Sequence, residues 1–162
     1  MRSDERVIFR QRFQLRCGYC HVREADVGAE LTVDHFQPRS RGGEDKPDNW
    51  VYCCHACNEF KGNYWQPDSP RRILHPQRDR LDDHVAERDN GTLYGLTETG
   101  TFHIQKLRLN RAGLVAYRCE RRLAEIAYKT QKNLLQRMSQ LEEQVQGLRQ
   151  RIKRLERSDL PT

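Results

Sequence analysis

Two cysteine pairs, Cys17-x-x-Cys20 and Cys54-x-x-Cys57, limit what this chain can fold into more than anything else in it. Each pair has knuckle spacing, and together they offer the four thiolates that a closed, tetrahedral structural zinc site takes. Two buried, reduced pairs without metal are the alternative. Cys53 lies beside Cys54 and blurs which of them ligates. The x-x spacing to Cys57 favours Cys54, leaving Cys53 to a strand and Cys119 as an ordinary buried thiol. Composition leans towards a metal. Of 162 residues, 36% are hydrophobic and 32% are charged, so a large core is not expected. Small cores are often stapled by a metal. The start, MRSDERVIFRQRF, interrupts every apolar stretch with charge, so no signal peptide is read there. No apolar run is long enough for a transmembrane span. The expected compartment is therefore the cytoplasm, where structural disulfides are rare and cysteines read better as ligands.

Between the knuckles the pattern is strand, loop, strand, helix. LTVDHF is short and β-prone, QPRSRGGEDKPD is a polar loop with Pro and Gly-Gly, and NWVYC reads as the returning strand. CHACNEFKGN reads as a short helix ending at Gly62. Before them, residues 4–15 predict a helix capped by Ser3 or Asp4, with Val7, Phe9 and Phe13 on its apolar side. After them, residues 64–83 carry Pro67, Pro70 and Pro76 and predict irregular chain. Asn90-Gly91 between two alternating segments predicts a hairpin. A helix is then expected from near Thr99, with Gly113 as a possible interruption.

The end of the chain follows another rule. Leu134, Met138, Leu141, Val145, Leu148, Ile152 and Leu155 are spaced alternately by four and three residues. That is a heptad seam, and it predicts a coiled coil, although packing on the protein's own core would use the same stripe. Residues 129–157 hold eight Lys/Arg against three Asp/Glu and carry most of the formal net charge of +6. A basic chain suits a polyanion, although a solvated charged surface reads the same way. The expected class is α+β in three parts: a zinc-stapled core over 1–66, an extension with hairpin and helix over 67–128, and a basic coiled-coil helix over 129–157.

The stretch VDHFQPRSRGGEDKPDNWVYCCHACNEFKGN holds the candidate chemistry. Asp34 and His35 are adjacent at a strand end, so their side chains diverge. One can hold a cation while the other faces a substrate water. If the short helix packs across the hairpin, Asn58 in its first turn approaches Asp34. A carboxylate with an amide oxygen is an all-oxygen site suited to Mg²⁺, which keeps several waters and takes phosphate oxygens. Asn49 can bond the loop backbone and hold His35 in one orientation. Lys61, Arg39 and Arg41 flank the site as expected phosphate contacts. His75 and His84 read as structural, and Trp50 and Trp65 as packing residues. His55 lies one position before the place where it would ligate, and His21 reads as a neighbour that tunes the zinc cysteines.

This pattern resembles the HNH endonucleases of the ββα-metal superfamily, in the version with a four-cysteine zinc site. The likeness rests on the Asp-His, the loop with Pro and Gly-Gly, Asn before an apolar residue, and Cys-x-x-Cys-Asn-x-x-Lys, all within residues 17–63. More loosely, residues 74–111 resemble the C-terminal extension of stand-alone bacterial members. The resemblance implies a metal-dependent endonuclease acting on DNA. It implies His35 as general base, Asp34 and Asn58 on one divalent metal, and zinc on Cys17, Cys20, Cys54 and Cys57. Many members have His where Asn58 stands, and the neutral amide oxygen shifts preference towards hard ions such as Mg²⁺. A zinc-stapled nucleic-acid-binding module, or an accessory subunit docked by the coiled coil, is the alternative. Beside DNA, a homodimer through the tail or a partner helix is expected.

Overall fold

The computed structural model describes residues 3–158, with side chains from 5 to 154. The caps expected at Ser3 or Asp4, and the side chains of Leu155 and Arg157, lie outside these described side chains. Helix α1 (Ser3–Arg12) precedes the first knuckle. It buries Phe9, which meets Trp50 and Tyr52 edge to face. Phe13 is buried just past the helix end. Val7 is exposed instead, because two residues on from it, at Phe9, the helix has turned by about 200°. A short helix, α2 (Glu24–Val27), was not legible in the sequence. It is held by Asp26, which accepts from the Arg23 backbone and guanidinium, and it ends on Gly28 in the left-handed region.

Strands β1 (Thr32–His35) and β2 (Trp50–Cys53) pair antiparallel, with His35 opposite Trp50 and Thr32 opposite Cys53. Val51, Tyr52 and Cys53 are fully buried. Tyr52 is satisfied there because its hydroxyl accepts from the Leu31 amide and bonds the Glu24 carboxylate. Glu24 also takes a bidentate bond from Arg10, which ties α1 to α2. Helix α3 (His55–Lys61) follows at once, N-capped at Cys54, and its amide bonds end at Gly62 as expected. The resulting strand–loop–strand–helix unit carries Asp34, His35, Asn49 and Asn58, with Cys17 and Cys20 coming from the chain before it.

Residues 64–80 are irregular, and a single 3-10 turn, Leu81–Asp83, precedes the second sheet. Strands β3 (Val85–Glu87) and β4 (Leu93–Gly95) form the hairpin expected around Asn90-Gly91. The ladder continues from the Arg88 amide to the Thr92 carbonyl, so the loop has three residues rather than two. Gly91 sits at φ +75, the left-handed position that such a loop needs. Helix α4 (Glu98–Lys106) starts just before the expected Thr99 because Thr97 caps it through the Gly100 amide. The helical run breaks at 107–111, where Arg108 has φ +48. Gly113 lies inside the first turn of α5 (Ala112–Ser158) and interrupts nothing.

Leu74, Ile104, Leu107, Leu109 and Leu114 bring the extension into the same buried cluster as β2 and the knuckles. Burying each such side chain contributes about 1.5–3 kcal/mol. Two compact units result, 1–119 and 120–162. The second is helical throughout its described residues and has no buried apolar side chain among them. Among the described residues, no helix is long and apolar enough to cross a membrane. The class is mixed α and β, with small two-stranded sheets, a four-cysteine cluster and a long C-terminal helix.

Candidate functional site

The two knuckles meet. The sulfurs of Cys17, Cys20, Cys54 and Cys57 all lie within 4.8 Å of one another, and all four residues are buried. Cys20 and Cys54 are 3.7 Å apart at sulfur. A tetrahedron with Zn–S bonds of about 2.3 Å has edges of about 3.8 Å, so these thiols are positioned to form a zinc site. Local backbone bonds set the first pair: the Cys17 amide donates to the Val22 carbonyl, and the His21 amide returns to the Cys17 carbonyl. The second pair falls at the N-cap and in the first turn of α3. Hydrogen bonds from the other three thiols pull the Cys54 thiol below its ordinary range. Cys53 is on the strand and outside the cluster. Arg111, from beyond α4, places a guanidinium nitrogen 3.8 Å from both Cys54 and Cys57 sulfurs. It balances thiolate charge there, and nothing in the spacing announced it.

The loop between β1 and β2 is folded around Asn49. Its side-chain oxygen accepts from the Gln37 amide at 2.8 Å, and its nitrogen donates to the carbonyls of Gln37 and Glu44. The loop turns back so tightly that a Cβ on Gly43 would sit 1.9 Å from the Gln37 carbonyl oxygen. Only glycine fits. The turn brings Asp45 to His35, whose Nε2 lies 2.9 Å from the Asp45 carboxylate. A carboxylate only accepts, so Nε2 carries a proton, and in the neutral ring Nδ1 keeps its lone pair. Trp50, opposite His35 in the sheet, donates its indole N–H to the same Asp45 oxygen at 2.8 Å. These bonds, with the one from His35 first, hold the Asp45 carboxyl below its usual range. Asp45 was missed in the sequence because the contact spans a loop whose path depends on Gly43 and Asn49. Trp50, expected only to pack, also anchors that acid.

Asp34 turns the other way. Its Oδ2 lies 2.9 Å from the Lys61 ammonium and 3.4 Å from the Tyr19 hydroxyl. Lys61 is 1% exposed, and it also donates to the His35 carbonyl. Lys61, expected to contact phosphate, has its charge buried and paired with an acid here. Burial pushes the Asp34 carboxyl up, against the opposing pull of Lys61. Among the described residues, the bonds to Asp34 fall on Oδ2 and none is seen to Oδ1. Asn58 is half-buried, and no side-chain hydrogen bond of it is seen among the described residues. It lies three residues before Lys61 on α3, and so on the same face. Arg39 meets Asp45 at 3.3 Å, and Arg41 is exposed.

The remaining histidines are dispersed. His55 is exposed on α3, and His84 bonds the Thr97 hydroxyl. His75 and His103 are buried, each accepting a backbone amide at Nδ1.

Residues 17–64 match the model of the HNH endonuclease family. A search of curated proteins found no match, and neither did a search of solved structures.

Proposed function

We propose that the chain is a divalent-metal-dependent endonuclease that hydrolyses DNA phosphodiester bonds. The observation that carries this reading is the state of His35. Its ring is 24% exposed, its Nε2 proton is held by Asp45, and its Nδ1 lone pair is free to take a proton from water. His35 is the general base in this reading, and such help is typically worth roughly 10²–10⁴-fold in rate. Asn49 fixes the loop that carries Asp45, and Asp45 positions the ring. Asp34 Oδ1 and the Asn58 oxygen supply a sparse, all-oxygen donor set, which fits Mg²⁺ better than Zn²⁺. When bound there, the cation would offset charge on the phosphate and the leaving 3′ oxygen. Arg39 and Arg41 remain at the rim as phosphate contacts.

A second reading is favoured by one observation. The Lys61 ammonium already neutralises Asp34, as it would in a zinc-stapled DNA-binding module without catalysis. A plasmid-nicking assay with Mg²⁺, run beside the His35→Ala variant, separates the two. Nicking that needs both the metal and His35 supports the nuclease. Binding of the plasmid with no nicking supports the module.

The tail fits a second copy of the chain. Leu134, Met138, Leu141, Val145, Leu148 and Ile152 are 45–58% exposed, and α5 is helical across the whole seam. Val145 and Ile152 on one row, with Leu throughout the other, favour a parallel two-stranded coiled coil. About three heptads are marginal alone. The exposed Leu123, Ile126 and Tyr128 extend the apolar surface towards the N-terminal part of the same helix. Arg149, Arg151, Lys153 and Arg154 are exposed beside the seam and add non-specific affinity for a polyanion.

A further inference from the structure

Beside Asp34 the molecule has a cavity of about 200 Å³ that none of the chemistry above uses. Its walls are rings: Phe36, Tyr64, Trp65 and His75 all line it. Phe36 stands at right angles to Trp65, with centroids 5.6 Å apart, and edge to face with His75 at 4.4 Å. A flat guest can therefore stack on one wall while its edge meets the next. Pockets for drug-sized ligands run to roughly 300–1,000 Å³, so this one suits a single ring system. His75 is 4% exposed, and burial with nearby Arg78 holds its pKa down at about 4. At neutral pH its ring is uncharged and serves as a wall.

The cavity adjoins the candidate site through Lys61. Lys61 lines it and is the residue paired with Asp34 at 2.9 Å, and Phe36 follows His35 in the chain. Its cations are not equal. Lys61 is neutralised by Asp34, and Arg72 is held by two bonds to Asp79. Arg78 is exposed and bonds the Asp48 carbonyl, and among the described residues its charge has no acidic partner. An aromatic corner with one unpaired cation at its rim matches a ring joined to a phosphate. Base–aromatic stacking of this kind tolerates any sequence, because every base has a π-face.

We propose that this cavity receives one unstacked nucleobase of the strand whose phosphodiester lies at Asp34 and His35, with Arg78 on that nucleotide's phosphate. The proposal rests on the nuclease reading. It makes single-stranded or locally opened DNA the preferred substrate, since a base inside a duplex cannot reach a pocket.

The test uses the full-length wild-type chain and an oligonucleotide whose cut position has been mapped. A series is made in which each position in turn is abasic. The expected result is a loss of kcat/KM of about tenfold or more at one position next to the cut. Trp65→Ala should lose as much on the intact oligonucleotide and should lose nothing further at that abasic position. Trp65→Phe, which keeps a ring, should recover most of the rate and so excludes misfolding. Normal cutting with a flat abasic profile overturns the pocket and leaves the nuclease reading standing. So does an abasic penalty that persists unchanged in Trp65→Ala. If the wild-type chain neither cuts nor binds the intact oligonucleotide, the nuclease reading fails and the pocket falls with it.

Discussion

The Lys61 ammonium lies 2.9 Å from Asp34 Oδ2, and only 1% of the lysine is exposed. A buried ion pair is costly to break, because the survivor keeps an uncompensated charge. Removing one partner of such a pair typically costs about 3–5 kcal/mol. Lys61→Met is therefore expected to lower unfolding stability by about 3 kcal/mol. The double variant with Asp34→Asn should regain part of that loss. Denaturant midpoints at saturating zinc measure both. A double-variant loss equal to the sum of the Lys61→Met and Asp34→Asn losses would show that the two residues are not coupled.

Asp45 acts on His35 and has no place on a substrate. Asp45→Asn should lower kcat, leave KM and DNA affinity close to wild type, and cost less than His35→Ala. The tautomer gives a readout that a merely structural role would not move. In the wild type, nitrogen NMR should report the His35 proton on Nε2, and in Asp45→Asn a mixture of both forms. An unchanged tautomer with unchanged kcat would remove Asp45 from the mechanism.

Four clustered thiols predict one zinc per chain. Elemental analysis of purified protein should find it, and a chelator strong enough to strip it should melt the core, since zinc binding here is folding free energy. Cys17→Ser should lower the melting temperature, whereas Cys53→Ser should leave zinc content unchanged. Asp34→Ala should abolish nicking and leave the zinc in place.

His103 links stability to pH. It is 1% exposed, its Nδ1 accepts the Leu74 amide at 3.0 Å, and burial holds its pKa at about 3 against an ordinary 6.5. Between those values the unfolded chain binds the proton and the folded one does not. Stability therefore falls as pH drops through this window, and the fall ends once the folded imidazole also protonates. His75, held at about 4, works in the same direction. Melting temperature should decrease from about pH 7.5 to 5.5. His103→Asn, which keeps an acceptor for the Leu74 amide, should show a shallower slope. Protonation of the zinc thiolates contributes equally to both proteins. Identical slopes would remove His103 as a source.

Truncation after Thr130 tests the seam. Light scattering should find a dimer in the full chain and a monomer in the truncated one, with single-strand nicking retained. A full-length monomer at tens of micromolar would exclude self-pairing and leave a partner helix as the tail's occupant.

The sequence alone determined the elements whose signals are local. Two Cys-x-x-Cys pairs foretold the sulfur cluster. The β-prone residues of LTVDHF and NWVYC foretold the two paired strands, and Gly62 foretold the end of α3. The seam of α5 follows from its heptads, because helical period alone decides which side chains share a face. The tertiary structure decided who faces whom. Lys61 looked like a surface cation in a polar run. It is buried because α3 packs on β1, where Asp34 can compensate its charge. Asp45 was one acid among several in a loop, and it became the partner of His35 only because Asn49 and Gly43 fold that loop back. Arg111 reaches the zinc cysteines from more than fifty residues away, after the chain breaks at 107–111. Spacing along a chain encodes period and knuckle geometry. Contacts across loops depend on how the whole core closes, and no local pattern carries that information.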